Sequence, residues 1–133
     1  MHADQTATAE YCLNAAYDGR VSFPEIVGKL IDAGFEGYAV NYRRAMQIYY
    51  LPDGDSVELA MPSCSEDVSA RFDDARIAAL VRWAQSDVPH YSYAAFSAQA
   101  KTAGCAGYHV SFLGRRVVYY GRTAETHVEL FDS

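Results

Sequence analysis

The feature that most constrains this chain is a pattern that recurs after 70 residues. Residues 33–50, AGFEGYAVNYRRAMQIYY, and 103–120, AGCAGYHVSFLGRRVVYY, share seven identities in 18 aligned positions. Downstream, VEL at 57–59 matches VEL at 128–130 once a one-residue insertion is allowed. We therefore predict a tandem repeat, about 22–60 and 92–131, inside a single domain that spans residues 1–133.

Each repeat has the pattern of one helix followed by three strands. Ser22 and Glu25 form a capping-box signature, apolar residues follow at helical spacing, and Gly34 ends the helix. The predicted strands of the first repeat are 37–42, 46–50 and 56–61. Two further helices are predicted, one over 6–17 and a connecting one that Asp73 caps and Pro89 ends.

These elements predict an α+β fold. It consists of tandem αβββ repeats related by a pseudo-twofold, with an antiparallel sheet packed against helices. In the second repeat a two-residue turn at Leu113-Gly114 pairs Val110 with Val117. That register turns five side chains of this hairpin toward one face and five toward the core. The first set is His109, Ser111, Arg116, Val118 and Tyr120, and the second is Tyr108, Val110, Phe112, Val117 and Tyr119.

The net charge of −6 argues against general binding to nucleic acid or to an anionic membrane, since both need a positive field. Residues 101–124 nevertheless carry four Lys or Arg and no Asp or Glu, which leaves −6 − 4 = −10 for the rest of the chain. This stretch is either a solvated sheet face or a patch for an acidic partner or a small anionic ligand.

Cys12, Cys64 and Cys105 are odd in number and have no CxxC spacing. The N-terminal residues lack the charge and apolar pattern of a signal peptide, and no apolar run is long enough to span a bilayer. We therefore expect a cytoplasmic protein with reduced thiols. A Cys105–His109 nucleophile pair is an alternative, but Phe35 fills the Cys105 position in the first repeat, which favours a buried, inert thiol.

The run AGCAGYHVSFLGRRVVYYGRTAETHVEL, with SFPEIVGKLIDAGFEGYAVNYRR upstream, resembles the YbcV-like family of small bacterial and prophage-encoded proteins. The resemblance covers nearly the whole chain. It implies a single cytoplasmic α+β domain of this length, and it carries over no catalytic residues. The label "phage envelope protein", used for some members, names no mechanism.

Residues kept in both repeats favour a shared scaffold, so polar residues special to one repeat are better candidates for a site. At equivalent positions the second repeat has His109 where the first has Ala39, and Arg116 where the first has Met46. It likewise has Arg122 in place of Pro52 and His127 in place of Ser56. With their neighbours these give six candidates for binding a ligand or partner. They are His109, Arg116, Tyr120, Arg122, His127 and Glu129.

We expect a non-enzymatic module that binds a protein partner or a small anionic ligand through the strand face of the second repeat. The alternative is a small metal-dependent or hydrolytic enzyme using His127 with Glu125 or Glu129, which alternate along the last strand. A third interpretation is a homodimer formed through tyrosine-rich sheet edges. No phosphate-loop, dinucleotide, nucleophile-elbow or zinc-protease motif is present, so no cofactor or metal is expected, and His90 is predicted in a loop.

Overall fold

The computed structural model describes residues 2–62, 66–86 and 91–131. Within them the helices are α1 (Ala3–Tyr17), α2 (Phe23–Asp32), α3 (Asp74–Gln85) and α4 (Tyr93–Thr102). The strands are β1 (Gly37–Asn41), β2 (Met46–Tyr50), β3 (Ser56–Ala60), β4 (Cys105–Ser111), β5 (Arg116–Gly121) and β6 (Thr126–Leu130). All six strands form one antiparallel sheet, and the helices pack on one of its faces. The predicted α+β class is confirmed.

The helix boundaries follow from local capping. The Ser22 hydroxyl accepts a hydrogen bond from the Glu25 amide, and the Glu25 carboxylate accepts one from the Ser22 amide, so the predicted capping box is present. Asp73 caps α3 through a single hydrogen bond, which its carboxylate accepts from the Arg76 amide. Helix α1 begins three residues earlier than predicted because Gln5 accepts a hydrogen bond from the His2 amide, which fixes the first turn upstream of the threonines.

The strand order is β3-β2-β1-β4-β5-β6, so the two central strands come one from each half of the chain. Gly37 lies opposite Ser111, Asn41 lies opposite Gly107, and Ala39 lies opposite His109. When 70 is added to the residue number of each β1 member and subtracted from that of its β4 partner, the same set of pairs results. The two halves of the chain therefore pair symmetrically. The tandem repeat stays a prediction, and this register is compatible with a pseudo-twofold through the Ala39–His109 pair.

The predicted insertion before the last strand is wrong. Val57 lies opposite Tyr49 and His127 lies opposite Tyr119, so the offset remains 70 through the final strand. The identical VEL triplets are therefore out of register by one residue, and a one-residue slip reverses the face of every side chain. His127 occupies the place of Val57 rather than that of Ser56, and it faces the helices.

The β4–β5 hairpin has the predicted register, with Val110 opposite Val117. Its core-facing side chains and their counterparts in β1 and β2 are buried between sheet and helices. Val40, Val110 and Leu30 are at most 1% exposed, and each contributes about 1.5–3 kcal/mol by leaving water. The core therefore lies on one side of the sheet, which leaves the other side for a different role.

Candidate functional site

None of the described helices covers the second face of the sheet, here called the open face. Alternation along the six strands turns three side chains from each strand toward it. They are Ser56, Glu58 and Ala60 of β3; Met46, Ile48 and Tyr50 of β2; Gly37, Ala39 and Asn41 of β1; Gly107, His109 and Ser111 of β4; Arg116, Val118 and Tyr120 of β5; and Thr126, Val128 and Leu130 of β6.

The open face is nearly uncharged. Among its side chains only Glu58 and Arg116 belong to residue types that are always charged at neutral pH. Val128 is 46% exposed and Leu130 is 63% exposed, so large apolar side chains meet solvent there. An antiparallel sheet with one solvated face usually carries polar residues on that face. Exposed apolar side chains set among uncharged polar ones are instead typical of a docking surface.

The centre of the open face is low because β1 and β4 contribute small residues there. Gly37 and Ala39 present almost no side chain, and the Tyr120 ring lies across Gly107, where any added side chain would meet it. The Tyr50 ring lies 6.4 Å from the His109 ring, measured between centroids. Aromatic side chains therefore border a shallow central strip, a shape that fits a flat apolar surface better than a compact ligand.

The six candidate residues lie in three places. His109, Arg116 and Tyr120 share the open face, on the side that the hairpin register predicted. Arg122 lies in the turn between β5 and β6, where its Nη1 donates a hydrogen bond to the carbonyl oxygen of Val68 at 3.4 Å. Because these two arginines belong to different parts of the surface, Arg116 and Arg122 do not converge on one anion.

His127 and Glu129, the remaining candidates, lie on the helix side of β6. His127 Nδ1 is 2.5 Å from Asp74 Oδ1, and His127 Nε2 is 3.7 Å from Glu129 Oε1. Sequence reasoning missed Asp74, because it reaches β6 from the first turn of α3, 53 residues away, and nothing local indicates the contact. Glu125 instead accepts a hydrogen bond from the Thr123 hydroxyl within the preceding turn.

The chemistry open to this cluster is limited by burial. The His127 Nε2 atom is buried and has no hydrogen-bond partner in the part of the chain that the structure describes. A general base must reach the proton that it removes, and this nitrogen is enclosed. Among the described residues no group of three His, Cys, Asp or Glu side chains is arranged to hold a metal ion. The contact between His127 and Asp74 therefore serves to join α3 to the edge strand β6.

The described cysteines are not placed for catalysis either. Cys105 is fully buried, its thiol donates a hydrogen bond to the Gly107 carbonyl oxygen, and burial raises its pKa to about 12. Burial also raises the pKa of Cys12. Since the thiolate is the nucleophile, both thiols stay unreactive at neutral pH. Three residues discussed from the sequence, Cys64, Pro89 and His90, lie outside the described residues.

No protein-family model matches the chain, and a search of curated proteins finds no match. The resemblance to the YbcV-like family thus stays a prediction. In the part of the chain that the structure describes, no helix has the length and apolar character needed to cross a bilayer.

Proposed function

We propose that this protein is a non-enzymatic interaction module whose open face binds a second copy of the chain. The observation that carries the proposal is the open face itself, a six-stranded surface that no described helix covers and that carries one glutamate and one arginine. Val118 on β5 and Ile48 on β2 lie on it as apolar side chains. Burying them would be the main gain from docking.

Charge favours a second copy at this face. The chain has a net charge of −6, so two copies repel each other over most of their surfaces. On the open face Glu58 and Arg116 cancel, and two copies that meet there bring together no net charge. A strongly basic partner would instead be drawn to the acidic remainder of the surface.

The open face has the size of a small interface. Its strands are five to seven residues long, so the face measures about 17 Å along the strands and about 24–29 Å across six strands at a spacing of about 4.8 Å. The flat area is then about 400–500 Å² per copy, or about 800–1,000 Å² for two copies. The upper value reaches the approximate lower limit for a specific interface.

The symmetry of the register suits such a pairing. A twofold axis between two stacked sheets, parallel to the strands, places β2 of one copy over β5 of the other. Ile48 then lies against Val118 of the second copy, and Tyr50 lies near its Arg116. Each contact occurs twice, as in other isologous interfaces. Stacked sheets of this kind pack about 10 Å apart.

Light scattering over a range of protein concentrations tests the proposal. We expect a dimer for the wild type and a monomer for Val118→Lys, because two buried ammonium groups would oppose stacking. Arg122→Ala is the matched control. It removes a charge that does not lie on the open face, so this variant should stay dimeric. A wild-type protein that remains monomeric at every concentration contradicts the proposal. This holds even if the open face binds a different protein, because the proposed partner is a second copy of the chain.

The enzymatic alternative is not favoured, because the buried Nε2 of His127 has no access to a substrate. A cytoplasmic location belongs to the proposal. It is supported by Cys12 and Cys105, which are free, buried thiols of the kind that a reducing compartment preserves. A bacterial or prophage origin rests on the family resemblance alone.

A further inference from the structure

A cavity of about 40 Å³ lies on the helix side of the sheet, where the two halves of the chain meet. Four sheet tyrosines contribute to its walls, together with side chains from all four helices. They are Tyr38, Tyr49, Tyr108 and Tyr119. One water molecule needs about 10–15 Å³ by this measure, so the cavity has room for about three heavy atoms.

The four tyrosines that line the cavity differ in the hydrogen bonding of their hydroxyls. Tyr108 donates a hydrogen bond to the Tyr93 hydroxyl at 2.7 Å, and Tyr49 donates one to Gln47. Tyr38 is 4% exposed and Tyr119 is 5% exposed, and neither hydroxyl has a hydrogen-bond partner among the described residues. Among the described residues neither hydroxyl counts as a fully enclosed polar atom, so both reach space that a water-sized group can enter. An occupant of that space that accepts hydrogen bonds would satisfy both donors.

The lining of the cavity also disfavours a charged ligand. None of the described residues that line it is Lys, Arg, His, Asp or Glu. Burial raises the pKa values of Tyr38 and Tyr119 well above the usual value for tyrosine, so both remain neutral donors near pH 7. An ionised group placed there would lose its hydration without gaining an opposite charge. The favoured acceptor is therefore an uncharged oxygen, such as that of a carbonyl group.

A groove on the surface adjoins the cavity. Phe23 and Gln85 line both spaces, and Pro24, Val27 and Phe131 complete the groove. The groove has a volume of about 290 Å³ and its lining is mostly apolar. Together, cavity and groove approach the size of known small-molecule sites, which combine an apolar wall with a few polar groups.

We propose that this cavity and groove form a binding site for a small uncharged molecule with an apolar body and one carbonyl-type oxygen. The oxygen accepts hydrogen bonds from Tyr38 and Tyr119 inside the cavity. The apolar body lies in the groove beside Phe23 and Phe131. This site is on the opposite side of the sheet from the open face, so it is independent of the proposed self-association.

The test compares two probes of similar size, acetophenone and ethylbenzene, which differ by the carbonyl oxygen. Binding of each to the full chain is measured by titration with ligand-observed NMR. We expect saturable binding of acetophenone at millimolar concentration, at least about fivefold tighter than that of ethylbenzene, since one net hydrogen bond is worth about 1 kcal/mol. Absence of saturable acetophenone binding, or equal affinity for the two probes, overturns the proposal.

Hydroxyl deletions identify the donors. Tyr38→Phe and Tyr119→Phe each keep the ring, and each should weaken acetophenone binding about fivefold while leaving ethylbenzene unchanged. Tyr11→Phe on α1, where the side chain is 46% exposed and lines neither the cavity nor the groove, is the matched control and should alter neither. If acetophenone affinity survives both deletions, the assignment of these hydroxyls is wrong. Should a deletion variant fail to fold, the two-probe comparison on the wild type still decides the proposal.

Discussion

Two glycines with nearly the same backbone conformation are predicted to respond differently to the same substitution. Gly34 follows α2 with φ of 98°, and Gly104 follows α4 with φ of 92°. An alanine at either position is forced into a left-handed conformation, which costs about 1–2 kcal/mol. The positions differ in their neighbours. A Cβ at Gly34 meets only the Gln5 side-chain nitrogen at 3.4 Å, an ordinary contact with a flexible group.

At Gly104 the neighbour is backbone. A Cβ there would lie 2.7 Å from the Arg71 carbonyl carbon and 2.8 Å from the Phe72 Cα, and closer still to the Arg71 carbonyl oxygen. The 69–73 segment is held in place by hydrogen bonds from the Ser69 and Asp73 amides to carbonyl oxygens near the end of α4. It therefore cannot move aside without losing them, and overpacking of this kind adds about 1–3 kcal/mol.

We thus expect Gly34→Ala to lower the free energy of unfolding by about 1–2 kcal/mol and Gly104→Ala to lower it by about 2–5 kcal/mol. Urea denaturation followed by circular dichroism measures both, and the difference between the variants isolates the close approach. If Gly104→Ala is no more destabilising than Gly34→Ala, the 69–73 segment does not pack on Gly104 and the reasoning fails.

Further predictions concern buried groups. Burial raises the pKa of Tyr93 to about 12 and those of Tyr38, Tyr49, Tyr108 and Tyr119 well above the usual 10.0, so above pH 10 the unfolded chain binds fewer protons than the native one. Stability should therefore fall as pH rises, and these five buried tyrosines should ionise only together with the loss of helical circular dichroism. A tyrosinate ring-carbon shift, resolved by NMR for any of the five while the protein remains folded, would contradict this. Cys105 should resist iodoacetamide at pH 8 in the native protein and react once urea unfolds it, as mass spectrometry of the tryptic peptide can show. His127→Val places in β6 the residue type that β3 has at Val57. It should change the free energy of unfolding by no more than about 1 kcal/mol, because removing Nε2, which has no hydrogen-bond partner among the described residues, offsets the lost contact with Asp74. A loss of more than about 2 kcal/mol in urea denaturation would contradict this.

Much of the fold could be predicted because its signals are local. Ser22 with Glu25 marks a helix start, Gly34 marks a helix end, and the alternation around Gly114 sets the hairpin register. The start of α1 was missed because His2 and Gln5 can cap it equally well, and propensity does not rank these signals. The β6 register was mispredicted because the identical VEL triplets favoured a one-residue insertion. The connectors that precede β3 and β6 have equal length, which favours no insertion. Ala124 adopts a positive φ of 65° where the first half has Gly54, and so no insertion is needed.

The candidate site was only half predictable. The open-face positions of His109, Arg116 and Tyr120 follow from the strand period and the turn. The placement of His127 depends on a one-residue choice of register, and its partner Asp74 on α3 depends on tertiary packing that no spacing encodes. The cavity could not be predicted, since Tyr38 and Tyr119 show in the sequence only as core residues, and an unpartnered hydroxyl is a property of three-dimensional packing.

The most direct test of the central claim is solvent access to the open face in solution. NMR relaxation of methyl groups by a soluble gadolinium chelate measures this access residue by residue. In an isolated chain Val128 is 46% exposed and Leu130 is 63% exposed, comparable to Ile31 on α2 at 49%. If open faces dock, the methyls of Val128, Leu130 and Val118 should be protected while those of Ile31 are broadened. Broadening of Val128 and Leu130 to the same degree as Ile31 would show that the open face is bare, and the proposed self-association would be wrong.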